Sequence, residues 1–243
     1  GLGDVYKRQI YNTDDDSLSG AEALIRWNSR KYGFIGPNTF IPLLEDSALI
    51  IPLGRWIINT AAKACNRWIT SIPDFVMHIN LSFVQIVKSN IVKDVLENIE
   101  RYSAANNHYV FEITETIEMD QIPAVQNVFK EFVKNEFRFA IDDFGTGYSN
   151  YGYMRDRTFD IVKVDRSFVT DIDKLKDNYL MVSFIIKMAH EMGLHVCIEG
   201  VETKEELSCV KKLGADYIQG YYYGKPVCLQ DFEEQHLKRF VLG

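Results

Sequence analysis

The sequence is short of several things at once, and each shortage excludes something. Its longest apolar stretches are all interrupted: Phe40 to Ile58 carries Glu45, Asp46 and Arg55, so no segment reaches the length of a membrane-spanning helix. No secretory signal pattern is visible. The four cysteines, Cys65, Cys197, Cys209 and Cys228, form no C-x-x-C pair. Three of them stand in apolar contexts that read as core packing, and the set suits a reducing, cytosolic compartment. With six prolines and no Pro/Ser-rich or low-complexity run, nothing reads as a linker, and a single domain is expected. Positive charge is scarce as well: 27 Lys and Arg against 34 Asp and Glu leave a formal charge of -7, without a basic cluster. That balance argues against duplex DNA or an anionic membrane as partner. An anionic ligand would have to be met by metal ions or by a few local basic side chains.

What is present is a repeated unit: a short apolar run, a polar residue at its end, a loop, then a helical stretch. This is βα alternation. Runs read as strands lie at Ala21 to Trp27, Val76 to Ser82, Val110 to Glu115, Phe139 to Phe144, Ile161 to Asp165, His195 to Gly200 and Tyr217 to Tyr223. With a first strand near Val5 to Tyr11 the count reaches eight, the number that closes a barrel, and 243 residues suit one. Between the strands, Leu53, Trp56, Ile57, Thr60, Ala61, Ala64 and Trp68 mark one apolar helix stripe, and Val125, Val128, Phe129 and Phe132 another. Thr203 to Glu206 reads as a capping box on a helix that Gly214 closes. The Tyr221 to Tyr223 run reads as alternating barrel packing.

The chemistry of such a barrel gathers at the C-terminal strand ends. Read in order, those ends carry Glu22, Asn80, Glu112, the pair Asp142 and Asp143, Lys163, Glu199 and Gln219. Any one acid alone would more often be a surface or cap residue than a ligand. Together they crowd five carboxylates into one mouth, where like charges raise one another's pKa unless cations compensate. Carboxylates plus an amide carbonyl select hard divalent ions such as Mg²⁺ or Mn²⁺ over Zn²⁺, and a two-metal site is expected. Gly145 and Gly147 would permit a tight loop beside it. Two other motifs are decoys. In "HEMGLH" the histidines, His190 and His195, are five apart rather than four, and Gly193 would end the helix between them. "GTGYSN", Gly145 to Asn150, lacks the last glycine of a dinucleotide fingerprint.

Glu22-Ala23-Leu24 with Arg26-Trp27, followed by "INLS", "FEITE", "IDDFGTGYS", "VKVDRSFV", "IEGVET" and "QGYYYGKP", resembles the EAL domain family from about Gly20 to Phe232. That family comprises bacterial phosphodiesterases that cleave cyclic di-GMP. The resemblance implies an α/β fold, a modified TIM (β/α)₈ barrel with its first strand antiparallel. It implies hydrolysis of one phosphodiester to give linear pGpG, by water activated between two divalent ions, Mg²⁺ or Mn²⁺. One ion would be held by Glu22, Asn80, Glu112 and Asp142, and the other by Asp142, Asp143 and Glu199. Lys163, Gln219 and Glu199 would act on the water or the phosphate, with Glu199 a general base or a ligand. Leu24, Arg26 and Asp165 would bind substrate, and Glu115 would anchor the loop after the paired aspartates. A catalytically inactive cyclic di-GMP receptor or interaction domain is the alternative.

The first strand departs from the family's Tyr-Gln-Pro-like pattern. "DVYKRQ", Asp4 to Gln9, is what a transposon end used in preparing sequencing libraries encodes. Residues 1–9 are therefore expected to be non-native and the barrel to occupy 10–243. Upstream sensory or GGDEF domains, a membrane anchor on the parent, a bacterial cytoplasmic location and a homodimer through the loop after Asp143 belong to the same expectation.

Overall fold

A computed structural model describes residues 3–114, 123–146 and 158–237. The first of the expected strands is longer than its apolar run. β1 (Asp4–Asn12) and β2 (Leu18–Ser29) form an antiparallel hairpin around an acidic turn, Thr13 to Ser17, and β2 continues into a second hairpin with the short β3 (Gly33–Ile35). The remaining strands are β4 (Val76–Asn80), β5 (Tyr109–Thr114), β6 (Arg138–Phe144), β7 (Ile161–Val164), β8 (His195–Glu199) and β9 (Tyr217–Gln219). From β2 through β4 to β9 they pair in parallel, and β1 closes the ring by pairing antiparallel with both β2 and β9. The result is an eight-stranded barrel with β3 as an appendage, the expected modified TIM barrel.

Helices lie outside: α1 (Pro37–Asp46), α2 (Ile50–Trp68), α3 (Phe83–Lys88), α4 (Ile91–Ile99), α5 (Pro123–Lys134), α6 (Lys176–Glu191), α7 (Lys204–Leu213) and α8 (Leu229–Phe232). Their buried stripes meet the outward strand residues, such as Met77, Ile79, Phe111, Phe139 and Val196, in one continuous core. On α2 the buried face keeps Ala61, Ala64 and Trp68 of the expected stripe but is rotated from it elsewhere. It runs through Gly54, Ile58, Ala61, Cys65 and Trp68, while Trp56 is 40% exposed, because the helix rests its small residues against the barrel. On α5 the expected Val125, Phe129 and Phe132 are buried. Thr203 and Glu206 form the expected capping box on α7, and Gly214 ends it at φ +85. Helix α6 ends at Glu191, Gly193 takes φ +77 and His195 opens β8, so the two histidines of "HEMGLH" share no helix. No helix among the described residues is long and apolar enough to cross a membrane.

Inside the barrel, alternation along each strand sorts the side chains into layers. Ile10, Val110, Ala140, Ile161 and Cys197 form an apolar plug. One step of two residues towards the mouth, the same strands present Arg8, Glu112, Asp142, Lys163 and Glu199. The plug closes the lower barrel, so the charged layer above it faces a single opening.

Two sequence readings change here. Tyr217 to Tyr223 is strand only as far as Gln219; Tyr221 and Tyr222 stand 48% and 41% exposed in a turn, because the chain turns away from the barrel after Gly220. Tyr223 instead stacks on Tyr11 with ring centroids 4.1 Å apart. Of the cysteines, Cys65 and Cys197 are buried and the other two are only partly so; all four are free thiols.

Candidate active site

The adjacent acids Asp142 and Asp143 are made usable by a break in the β6 ladder. Ile141 pairs with Val162 but Phe144 pairs with Val164, so β6 holds one residue more than β7 over this interval. That is a β-bulge, and the extra residue re-aims a side chain that alternation would send outward. Asp143 sits at φ +54 and Gly145 at φ +96. A side chain at Gly145 would meet the Phe168 ring at 2.7 Å, so only glycine fits that step. Asp143 occupies a left-handed conformation that aspartate tolerates better than most residues, its backbone carbonyl accepting a hydrogen bond from the Thr146 hydroxyl at 2.8 Å.

Lys163 lies at the centre of the acids and is fully buried. Its Nζ is 2.7 Å from Glu112 Oε2, 2.9 Å from Glu199 Oε1, 3.4 Å from Asp142 Oδ1 and 3.6 Å from Glu22 Oε2. Burial alone would lower the lysine's pKa, but the surrounding carboxylates, Asp142 first, raise it above its ordinary value. Lys163 is therefore the protein's own cation for this cluster. One ammonium does not balance five acids. Burial pushes Glu199 up to about 8 despite Lys163, and it raises Glu112 well above the carboxylate range with help from Glu22. Asp143 is lifted to about 6 by desolvation and then by Asp142. Glu22 alone goes the other way. Burial acts upward on it too, but Lys163, Arg8 and hydrogen bonds from Asn80 and Gln219 bring it down to about 2.

The amides complete the floor. Asn80 Nδ2 donates to Glu22 Oε1 at 2.8 Å and Gln219 Nε2 to Glu22 Oε2 at 2.7 Å. Asp142 Oδ1 and Gln219 Oε1 are buried and accept no hydrogen bond among the described residues. Asp142, Asp143 and Glu199 each offer an oxygen within 4.8 Å of the others. Oxygen donors only, two of them without a hydrogen bond and several held at raised pKa, are the environment in which a hard divalent cation replaces protons. The residues present fit such a group.

Above the floor opens a cleft of about 900 Å³, walled on one side by Ile41, Pro42, Ile50 and Ile57 of α1 and α2, and on the other by Leu24, Arg26 and Arg8. Burial, and then the neighbouring Arg8, lower the pKa of Arg26, so two guanidinium groups crowd one wall. Asp165 caps a short 3₁₀ turn through Ser167 N–H at 2.9 Å, beside β7. Glu115 lies outside the described residues.

Two residues at the site escape a reading by strand ends. Arg8, on β1, has Nη1 3.8 Å from Glu22 Oε2 and lines the cleft. His78, on β4, donates from or accepts at Nδ1 with Glu112 Oε1 at 2.7 Å. Its position two residues before Asn80 is the signal that could have found it, since alternation puts both on the same strand face.

The family model for the EAL domain matches residues 6–226. The "Probable cyclic di-GMP phosphodiesterase PdeG" of Escherichia coli is 31% identical over 227 residues, covering 93% of this chain and 45% of that protein. The "Cyclic di-GMP phosphodiesterase PdeL" of the same organism is 32% identical over 213 residues, covering 86% of this chain and 58% of that protein. A solved EAL enzyme, Bd1971 in its cAMP- and cyclic-di-GMP-bound form, superposes with a TM-score of 0.91 at 34% identity, over 96% of this chain and 64% of that one. The chain spans 27% to 58% of the length of such curated relatives.

Proposed function

From the premise that this chain belongs to the EAL domain family, we propose that it is a metal-dependent phosphodiesterase that hydrolyses cyclic di-GMP to linear pGpG. The observation that carries the reading is the convergence of Glu22, Glu112, Asp142 and Glu199 on one buried lysine, with Asp143 delivered to the same mouth by a bulge. Curated relatives named as cyclic di-GMP phosphodiesterases support the substrate.

In this reading Glu22, Asn80, Glu112 and Asp142 hold one divalent ion and Asp142, Asp143 and Glu199 a second, Mg²⁺ or Mn²⁺. When bound, such ions stabilise charge on the phosphoryl oxygens and lower the pKa of water. The chain's own residues do the rest. Arg26 takes a non-bridging phosphate oxygen, and Leu24 packs against the nucleotide. Lys163 and Gln219 orient the attacking water, and Glu199 serves as a metal ligand or as the base that receives its proton. Water oxygen bonds to phosphorus, the P–O3′ bond breaks, and the freed 3′ oxygen takes up a proton as the ring opens.

The same reading takes residues 10–243 as the domain and 1–9 as non-native. Strand β1 spans that boundary, so residues 4–9 supply six of its eight paired positions with β2. It also places the domain in a bacterial cytoplasm, downstream of sensory or GGDEF modules, as part of a homodimer. A chromatographic time course with cyclic di-GMP tests the activity, run with Mg²⁺, with Mn²⁺ and with chelator. Linear pGpG formed only with metal is expected. Nucleotide binding without product would instead assign a receptor.

A further inference from the structure

Of all the groups around the mouth, His78 has no part in the chemistry just described, yet it is almost wholly buried, at 4% exposure. It stands on β4 with its backbone opposite Glu22 on one side and Val110 on the other, one alternation step below Asn80. Its ring is inside the barrel, between the apolar plug and the acids. Nδ1 lies 2.7 Å from Glu112 Oε1, and Lys163 Nζ lies 2.7 Å from Glu112 Oε2. Both oxygens of Glu112 are thus held from below, one by an imidazole nitrogen and one by an ammonium, which fixes the carboxylate plane.

We propose that His78 is a positioning residue that holds the Glu112 carboxylate in its metal-ready orientation through the hydrogen bond at Nδ1. The argument is one of charge and geometry. A second ammonium or guanidinium here would grip Glu112 as well, but it would also add a positive charge where a cation has to enter. An apolar residue would add no charge, but would leave Glu112 free to swing towards Lys163 with either oxygen. An imidazole that donates from Nδ1 does neither. A carboxylate that ligates a metal is ionised and can only accept, so at 2.7 Å the contact requires Nδ1 to carry the proton. A carboxylate has about four lone-pair sites, so two donors leave room for a cation on the mouth side. Outer partners of this kind commonly change metal affinity by about 10–100-fold when removed.

The proposal rests on the metal-dependent reading of the site, and one titration separates the two. Mn²⁺ is titrated by calorimetry, with free Mn²⁺ followed by its paramagnetic resonance signal, into the full chain and into H78L, H78A and H78N. Asparagine keeps a donor where Nδ1 stands; leucine keeps the volume without one. The expected result is a loss of at least tenfold in Mn²⁺ affinity for His78→Leu and His78→Ala, with His78→Asn within about threefold of the parent. Melting of the metal-free proteins shows whether each variant is folded, and the Leu against Asn contrast stands even if Ala is not. Affinity unchanged in His78→Leu, or equally weak in His78→Leu and His78→Asn, overturns the positioning role while leaving the metal site in place. No Mn²⁺ binding by the parent chain overturns both.

Discussion

The two ends of this barrel hold acids under opposite conditions. At the base, Asp160 accepts a hydrogen bond from Phe139 N–H at 3.0 Å and Asp216 from Val196 N–H at 2.7 Å, so each acid closes the start of a strand. Asp216 is also flanked by His190 at 2.8 Å and His195 at 3.4 Å. Burial pushes Asp216 up, but the two histidines and the backbone donor bring it down to about 2. At the mouth, the acids face one another, Lys163 and, at Glu22, Arg8, with no backbone N–H donating to Glu22, Glu112, Asp142 or Glu199 among the described residues. Acids that the fold satisfies stabilise the ring. Burial raises Asp160 as well, but at the mouth Glu112, Asp143 and Glu199 are raised by burial and by the neighbouring acids in addition, and are available to something else.

The comparison can be broken most decisively at Glu22. If the mouth acids serve chemistry, Glu22→Ala lowers turnover of cyclic di-GMP by about 10²–10³-fold or more, the scale for losing one preorganised electrostatic group. The variant should still fold, but with a lower melting temperature, because Glu22 is the mouth acid whose charge Lys163, Arg8, Asn80 and Gln219 stabilise. A rate within a few-fold of the parent would count against the assigned site.

Lys163 is the next largest. Lys163→Met leaves the mouth acids without their internal cation, and the chelator-treated protein should lose about 3–5 kcal/mol, as when one partner of a buried ion pair is removed. Urea unfolding with and without Mn²⁺ checks it. A variant as stable as the parent in chelator would mean that the acids are protonated rather than paired.

Asp143 sharpens the contrast through the backbone. Asp143→Gly and Asp143→Ala both delete the carboxylate, but only alanine is forced to keep a side chain at φ +54. The glycine variant should be the more stable of the two by about 1–2 kcal/mol, with both poor in turnover. Equal stabilities would show that the bulge relaxes once the carboxylate is gone.

The smallest effect belongs to the base. A hydrogen bond to Asp216 raises the pKa of His195 above its ordinary value. A raised histidine contributes stability below its unfolded value, near pH 6.5, and loses it as pH rises through the folded value. Depressed Asp216 contributes above about pH 4 and loses its share as pH falls towards 2. The melting-temperature gap between parent and His195→Gln should therefore be widest near pH 5 and vanish by pH 9. Since His195 is 58% exposed, the gap should stay under about 1 kcal/mol.

Much of this was readable in one dimension because barrel strands announce themselves locally. Apolar runs that end in a polar residue gave the βα order, and the same ends named Glu22, Asn80, Glu112, Asp142, Lys163, Glu199 and Gln219 as neighbours before any coordinates. The capping box at Thr203, the break at Gly193 and the core face of α5 are likewise decided within one or two turns of chain, where propensity and hydrogen bonding are local.

What lies across the barrel was not readable that way. Gln219 meets Glu22 over 197 residues, and His78 meets Glu112 over 34; such pairs exist only once the ring closes and sets the register. Trp56 faces out because of how α2 settles on its small residues, and Tyr221 and Tyr222 leave the barrel because β9 ends at Gln219. The bulge that turns Asp143 into the mouth depends on how β6 pairs with β7, which neither strand encodes alone. By itself the sequence determined which residues carry charge at which strand ends. Only the closed barrel decided which charges touch, because ring closure and register are properties of all eight strands together and desolvation acts only after they meet.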